Sequence, residues 1–358
     1  MTNIFSSEIV NKGRQVELDI ARGLAVLFMV LIHIQQYFSS PEAQETLFGT
    51  IVDFVGGIPA APVFMFLLGV GIIYSRKSDL KSFLKRGLLL IVAGYLLNLL
   101  RGTLPNLMQW MVLGEEQYFT KALNELMYVD IFQFSGLAMI LFGIIKKFKP
   151  HVLVVALFGI GFSAINLLLT GVTTEGKLFS ALTGLFWGSN ELSFFPFLTW
   201  IFYPIAGYVF GYYLIRCLNK NKFYLMALIV SVAVILFSVW IFVYNLEMET
   251  GLSSETGYYQ HKMLGNVVFT AFVILWLSIL YFASKGIPRI IYKPIGRWSK
   301  NVSEIYFIHW LFIGWLGVFI GNSSLALSYY FIIFAIIFIA SDYLADYYVI
   351  RKKQVQIK

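Results

Sequence analysis

The stretch RQVELDIARGLAVLFMVLIHIQQYF, residues 14–38, opens on charged residues and then turns apolar. Between Ile20 and Phe38 only Arg22 and His33 are ionisable. At about 1.5 Å rise per residue, such a run approaches the ~30 Å of a bilayer's hydrocarbon core, so it reads as a membrane span. The segment 1–17 is polar and Arg22 stands near the start of the run, which argues against a cleaved signal peptide.

The pattern recurs along the chain. Apolar runs at 20–38, 51–74, 84–100, 128–145, 152–171, 194–215, 223–245, 263–284, 303–321 and 326–349 predict ten spans, with ends good to about 2–4 residues. LFSALTGLFWG, 178–188, is too short to span. It could form a re-entrant or interfacial helix, or an eleventh half-span. The expected fold class is therefore all-α: a polytopic membrane bundle of about ten transmembrane helices, treated as one domain over 1–358 with a short basic tail at 351–358.

Composition agrees. Of 358 residues, 59% are hydrophobic and 13% charged, and the mean hydropathy is +0.76. Soluble domains are about half apolar and about a quarter charged, so a water-soluble enzyme is excluded. The aromatic content of 18% excludes disorder. The one cysteine, Cys217, excludes a disulfide framework or a multi-cysteine metal site.

The net charge of +8 would suggest nucleic acid in a soluble protein; here topology explains it and no nucleic-acid partner is expected. Lys12 and Arg14 precede the first span. Arg76, Lys77, Lys81, Lys85 and Arg86 follow the second, and Lys146, Lys147 and Lys149 the fourth. Arg216, Lys220 and Lys222 follow the sixth, and Lys285, Arg289, Lys293, Arg297 and Lys300 the eighth. Arg351, Lys352, Lys353 and Lys358 close the chain. All fall on one side if both termini are cytoplasmic. The other side holds Arg101, Lys121, Lys177 and Lys262 beside Glu42, Glu45, Glu115, Glu116, Glu125, Glu175, Glu191, Glu247, Glu249 and Glu255.

Ionisable residues at membrane depth are costly and point to function. Arg22 and His33 are eleven positions apart, close to three helical turns, so they project from one face. His33 lies deep in the outer half and suits proton transfer near neutral pH; the alternative is a hydrogen-bonded packing residue. Arg22 serves a polar path or only anchors the interface. His309, in IYFIHWLF, could line the same cavity or be structural. His261, in GYYQHKMLGN, could touch a polar acceptor, but the reading that weighs more is an exposed interface histidine. His151 reads as solvated. No H-x-x-x-H or H-E-x-x-H spacing occurs, so no metal is expected.

Asp53 and Asp130 stand at outer span ends and could bind a sugar hydroxyl or orient an imidazole; Asp130 equally suits a helix N-terminus. Asn98, Gln133 and Asn266 are further outer-half candidates. Trp200, Tyr258, Tyr259, Trp298 and Trp310 read as interface belt or packing. RKSDLKSFLKR, 76–86, and KPIGRWSK, 293–300, could hold a nucleotide bearing several phosphates, although anionic-lipid contact and topology account for most such charge. No G-x-x-x-x-G-K-[ST] or G-x-G-x-x-G is present.

These residues meet a family. RQVELDIARGLAVLFMVLIHIQQYF resembles the opening of the transmembrane acyltransferase superfamily, which includes heparan-alpha-glucosaminide N-acetyltransferases and acyltransferase family 3. Arg22 and His33 have the R-x10-H spacing of the latter. PVFMFLLGVGIIYSRK, 62–77, is similar to its second span, and VDIFQFSGLAMILFGII, 129–145, to a D-I-L-Q-F-x-G-L segment. LTWIFYPIAGYVFGYYL, 198–214, resembles W-x-x-Y-x-x-x-G-x-x-x-G, and IGRWSKNVSEIYFIHWL, 295–311, a late G-R-x-S and Y-x-x-H motif. The chain departs at the R-x-x-R of acyltransferase family 3, where it has Lys81, Lys85 and Arg86, and at a serine replaced by Leu68. It therefore sits nearer the heparan-N-acetyltransferase branch.

The resemblance implies transfer of an acyl group, above all acetyl, from cytoplasmic acetyl-CoA or another acyl-CoA to an outer glycan or lipid-linked acceptor. His33 would be the base. Arg22, Lys85, Arg86, Arg297 and His309 would hold the donor, and Asp53, Asp130 and His261 the acceptor. Membrane lipids are expected partners, a homodimer is admitted, and a bacterial cytoplasmic membrane is the expected location. The rival reading is a proton-coupled transporter or flippase using His33, Arg22 and His309 as relay and anion site.

Overall fold

The structure is a computed structural model describing residues 4–75, 79–169, 171–188, 190–244, 257–321 and 325–357. Arg76, Lys77, Glu247, Glu249, Glu255 and Lys358 of the charge pattern lie outside the described residues. In order, the helices are α1 (Val16–Phe38), α2 (Pro41–Gln44), α3 (Leu47–Gly56), α4 (Ala61–Tyr74), α5 (Leu80–Asn98), α6 (Leu104–Leu113), α7 (Glu116–Met127), α8 (Ile131–Phe148) and α9 (Val152–Leu169). They continue as α10 (Lys177–Gly184), α11 (Phe197–Trp200), α12 (Phe202–Leu214), α13 (Lys220–Tyr244), α14 (Met263–Ser284), α15 (Arg289–Lys300), α16 (Val302–Ile320) and α17 (Leu327–Ile357). A π-helical turn, Leu99–Thr103, joins α5 to α6.

Nine helical stretches among the described residues are long and apolar enough to cross a membrane. They take up nine of the ten runs read from the sequence. The tenth run falls in α1, which is 23 residues long and carries Glu17, Asp19, Arg22 and His33. The 178–188 segment forms the short α10 and then turns.

The chain divides into two compact units. One comprises Met1–Arg14, Pro62–Leu96 and Met127–Tyr281; the other comprises Gln15–Ala61, Leu97–Leu126 and Phe282–Lys358.

In the first unit, α4 and α12 touch backbone to backbone. A Cβ on Gly69 would come within 1.8 Å of the Pro204 carbonyl oxygen, and one on Gly207 within 1.9 Å of that of Phe66. Small residues allow this approach, and close packing holds helices together where lipid supplies no hydrophobic drive. The glycine of the 198–214 motif thus has a packing reason. Asp130 caps α8: its carboxylate accepts the Ile131 N–H at 2.7 Å, and the Gln133 side chain returns to the Asp130 N–H at 3.3 Å, a capping box.

In the second unit, α1 is the central element, packed by α3, α15, α16 and α17. Ser299 on α15 donates to Asp19 at 3.2 Å. Tyr330 on α17 donates to the Leu31 carbonyl at 2.9 Å. These contacts fix the helix that carries His33.

Candidate active site

The second unit brings two histidines together. His33 Nδ1, on α1, stands 2.9 Å from His309 Nε2, on α16. The rings lie 8° from parallel with centroids 5.2 Å apart. That separation is the N···N distance plus a ring radius at each end, so the imidazoles meet edge to edge in one plane, as a linear hydrogen bond requires.

The tautomers follow from one carbonyl. His309 Nδ1 is 3.0 Å from the oxygen of Ile305, which can only accept. His309 Nδ1 therefore carries the proton and its Nε2 a lone pair. The proton between the rings then belongs to His33 Nδ1. This leaves the Nε2 of His33 with its lone pair, the form a general base needs. The chain carbonyl–imidazole–imidazole orients the base as a hydrogen-bonded third group does in other catalytic arrays.

Trp310 follows His309 and covers His33, with ring centroids 4.3 Å apart at 31°. Tyr37 and Tyr306 meet the same aromatic group, edge-on to Trp310 at 5.3 Å and to His33 at 6.5 Å respectively. Over Trp310 lies a cation: the Arg101 guanidinium carbon is 4.1 Å from its ring centroid, a distance at which cation–π attraction operates. Arg101 sits on the π turn and is 5% exposed. Such turns occur often at functional sites because the extra residue redirects a side chain.

The other expected residues divide. Arg22 is half-buried on α1. Asp53 is exposed on α3 and accepts from Gln35 Nε2 at 2.7 Å, two positions past His33. Arg297 pairs with Asp342 on α17, its Nε donating at 3.1 Å and its Nη2 closing a two-point fork. Hydrogen bonding to that carboxylate holds the guanidinium above its ordinary pKa. Lys85 and Arg86 belong to the first unit and are exposed on α5. Asp130 is the α8 cap already described.

His261, also in the first unit, corrects the reading of an exposed interface residue. It is fully buried. Tyr203 Oη is 2.6 Å from its Nε2, its Nδ1 is 2.8 Å from the Tyr258 carbonyl, and Asn266 reaches Nε2 at 2.9 Å. Asn266 in turn bonds Ser163 at 3.0 Å. Burial pushes the imidazole down to about 4, against hydrogen bonds to the Tyr258 carbonyl and the Asn266 amide oxygen that favour its charged form. Trp200 is buried beside it and donates to the Tyr259 carbonyl at 2.8 Å. The Trp and Tyr of the 198–214 motif thus hold a closed polar knot at the start of α14.

Two residues of the site escaped the sequence reading. Arg101 was counted as a loop charge because the third span was ended at residue 100. The apolar run continues through LPNLMQWMVL, 104–113, and its length was the signal. Trp310 reads from the sequence as interface belt or packing; the structure gives it packing, against His33 and under Arg101. No group of three or more His, Cys, Asp or Glu able to hold a metal occurs among the described residues.

A family model described as the heparan-alpha-glucosaminide N-acetyltransferase catalytic domain matches residues 14–230. The chain belongs to that family. The match covers more than half of the 358 residues and includes Arg22, His33 and Arg101. His309 and Trp310 lie beyond it, so their meeting with His33 is known from the fold alone. No individual curated protein matches the chain. Membership of this acetyltransferase family on a multi-pass helical scaffold identifies a membrane transferase.

Proposed function

We propose that the protein transfers an acetyl group from cytoplasmic acetyl-CoA to a hydroxyl or amine of an extracytoplasmic glycan or lipid-linked acceptor, with His33 as general base. The observation that carries this is the Ile305 carbonyl–His309–His33 chain, which presents a bare Nε2 on α1. In the reaction the acceptor X–H loses its proton to His33 Nε2 as X attacks the thioester carbonyl carbon. The C–S bond then breaks, and the proton passes to the departing thiolate. The products are the acetylated acceptor and CoA thiol.

The basic loops support both termini being cytoplasmic. In that orientation Arg22 stands near the donor side and His33 toward the acceptor side. Lys85 and Arg86 are exposed and able to meet the nucleotide phosphates. Asp53 is exposed near the far end of α1 and able to meet a sugar hydroxyl. The cytoplasmic membrane of the cell envelope is the setting proposed for this chemistry.

The test is thermal stabilisation of the purified protein by acetyl-CoA, compared with CoA, ATP and desulfo-CoA. A ligand that binds only the folded state raises the melting point with its concentration. Stabilisation that weakens in Arg22→Ala and persists in His33→Ala, together with acetyl transfer lost in His33→Ala, is expected. Folded protein indifferent to every CoA compound would overturn the proposal in favour of proton-coupled transport.

A further inference from the structure

The proposed base accounts for the proton but not for the negative charge that develops on the thioester oxygen. We propose that Arg101 and the indole N–H of Trp310 are the donors that hold this oxygen, making Arg101 a second catalytic residue; the proposal rests on the acyltransferase reading above.

Three observations converge on it. The guanidinium carbon lies 4.1 Å from the Trp310 ring centroid, and the His33 ring centroid lies 4.3 Å from it. Cation and base are thus gathered against one indole. Second, Trp310 Nε1 is buried and has no hydrogen-bond acceptor among the described residues. A buried indole N–H ordinarily finds one, and leaving it without one costs about 1–3 kcal/mol. An acceptor arriving with substrate explains that cost. Third, the backbone bearing Arg101 is fixed from several directions. A Cβ on Gly314 would fall 1.8 Å from the Arg101 carbonyl oxygen, so α16 seats directly on the turn. Thr103 Oγ1 donates to the Ala122 carbonyl at 3.1 Å, and Asn106 Nδ2 donates to that of Gly102 at 2.9 Å. Donors held this way need no reorganisation when charge appears, which is the condition for electrostatic stabilisation in a water-poor site.

The electron balance is simple. As X bonds to the carbonyl carbon, the C=O π pair moves to oxygen and the X–H proton goes to His33 Nε2. Arg101 and Trp310 stabilise the oxyanion. When the pair returns, the C–S bond breaks and sulfur takes the proton from His33.

The experiment uses the full chain in detergent. Wild type, Arg101→Gln, Arg101→Lys and Trp310→Phe are compared for melting point, stabilisation by acetyl-CoA, kcat and KM for acetyl-CoA, and the pH dependence of kcat. Arg101→Gln is expected to lose about 10²–10³-fold in kcat, as loss of an oxyanion donor does, with KM changed less than about threefold because the interaction is made only in the transition state. Arg101→Lys retains the charge and recovers part of the loss. Trp310→Phe loses about tenfold or more while keeping the stacked ring. The pH profile keeps its shape in Arg101→Lys and Trp310→Phe, which retain both His33 and the neighbouring charge. A folded Arg101→Gln enzyme with wild-type kcat, or a loss wholly in KM, overturns the assignment while leaving the acyltransferase reading in place. Wild-type protein that releases no CoA thiol with any acceptor overturns both.

Discussion

The α-carbon of Gly314 sits against the carbonyl oxygen of Arg101 so closely that a methyl group there would lie 1.8 Å from it. Gly314 is four residues past Trp310, on the same face of α16. One helix face therefore carries both the ring under the guanidinium and the gap that admits its backbone. Gly314→Ala is expected to force the π turn away, destabilise the protein by about 1–3 kcal/mol, and lower transfer activity further than stability alone accounts for. Gly71→Ala on α4, where a Cβ meets nothing within 4 Å, is the control; it is expected to be neutral or to stabilise by up to ~1 kcal/mol. Thermal melting and acetyl transfer on the two variants check this.

His33 and His309 are expected to separate by role. His33→Ala removes the base and costs about 10²–10⁴-fold in kcat. His309→Gln keeps an acceptor for the His33 Nδ1 proton and costs less than His309→Ala, which leaves the base without its orienting partner. Steady-state kinetics on the three variants read out the order. Equal losses in His309→Gln and His309→Ala would mean that the second ring serves only to fill space.

The buried knot around His261 predicts a pH dependence of stability. Its pKa of about 4 in the fold lies below the ordinary value of 6.5, so the unfolded chain binds the proton more readily. Stability from this group is therefore complete above about pH 6.5 and is lost as pH falls toward 4. The full contribution is about 3 kcal/mol, from roughly 1.4 kcal/mol per unit. Melting curves at pH 7.5 and at roughly pH 5 are expected to differ more for wild type than for His261→Gln.

Arg297 is expected to act through stability. Asp342 is nearly buried, while the Arg297 side chain is 46% exposed. Removing the arginine strands a carboxylate that cannot reach water; removing the aspartate leaves a guanidinium that can. Arg297→Gln should therefore lower the melting point more than Asp342→Asn, by about 1–3 kcal/mol in the worse case, with KM for acetyl-CoA unchanged. A raised KM with an unchanged melting point would return Arg297 to the donor site.

The spans were legible because an apolar run of bilayer length has few other uses. For Asp130 the sequence offered both an acceptor ligand and a cap; an acid before an apolar helix satisfies its free N–H groups, and the structure shows the cap. His33 stood out as an ionisable residue in lipid. What remained hidden depended on partners distant in sequence. His261 reads as exposed until Tyr203, 58 positions away, is seen bonded to it. His309 was legible as a residue that could line the cavity of His33, but their 2.9 Å contact joins positions 276 apart, and no spacing rule spans that distance. Arg101 was hidden for a local reason: the apolar run past it showed that the helix continues, but a π turn leaves no mark to show that its cation is turned inward.

That extra residue also makes the site vulnerable to length rather than to chemistry. Deleting Leu100 would let Leu99–Thr103 relax into ordinary helix with its hydrogen bonding restored. The helix downstream would keep its register, because the bulge had absorbed the extra residue, while Arg101, inside the turn, would leave the backbone in a different direction. The chain would keep its arginine, its hydropathy and its ability to insert, yet the guanidinium would no longer rest on Trp310. A frame-preserving loss of a single codon would thus undo the proposed oxyanion site and loosen the seat of α16 on the turn, in a relative recognisable only by its count of residues.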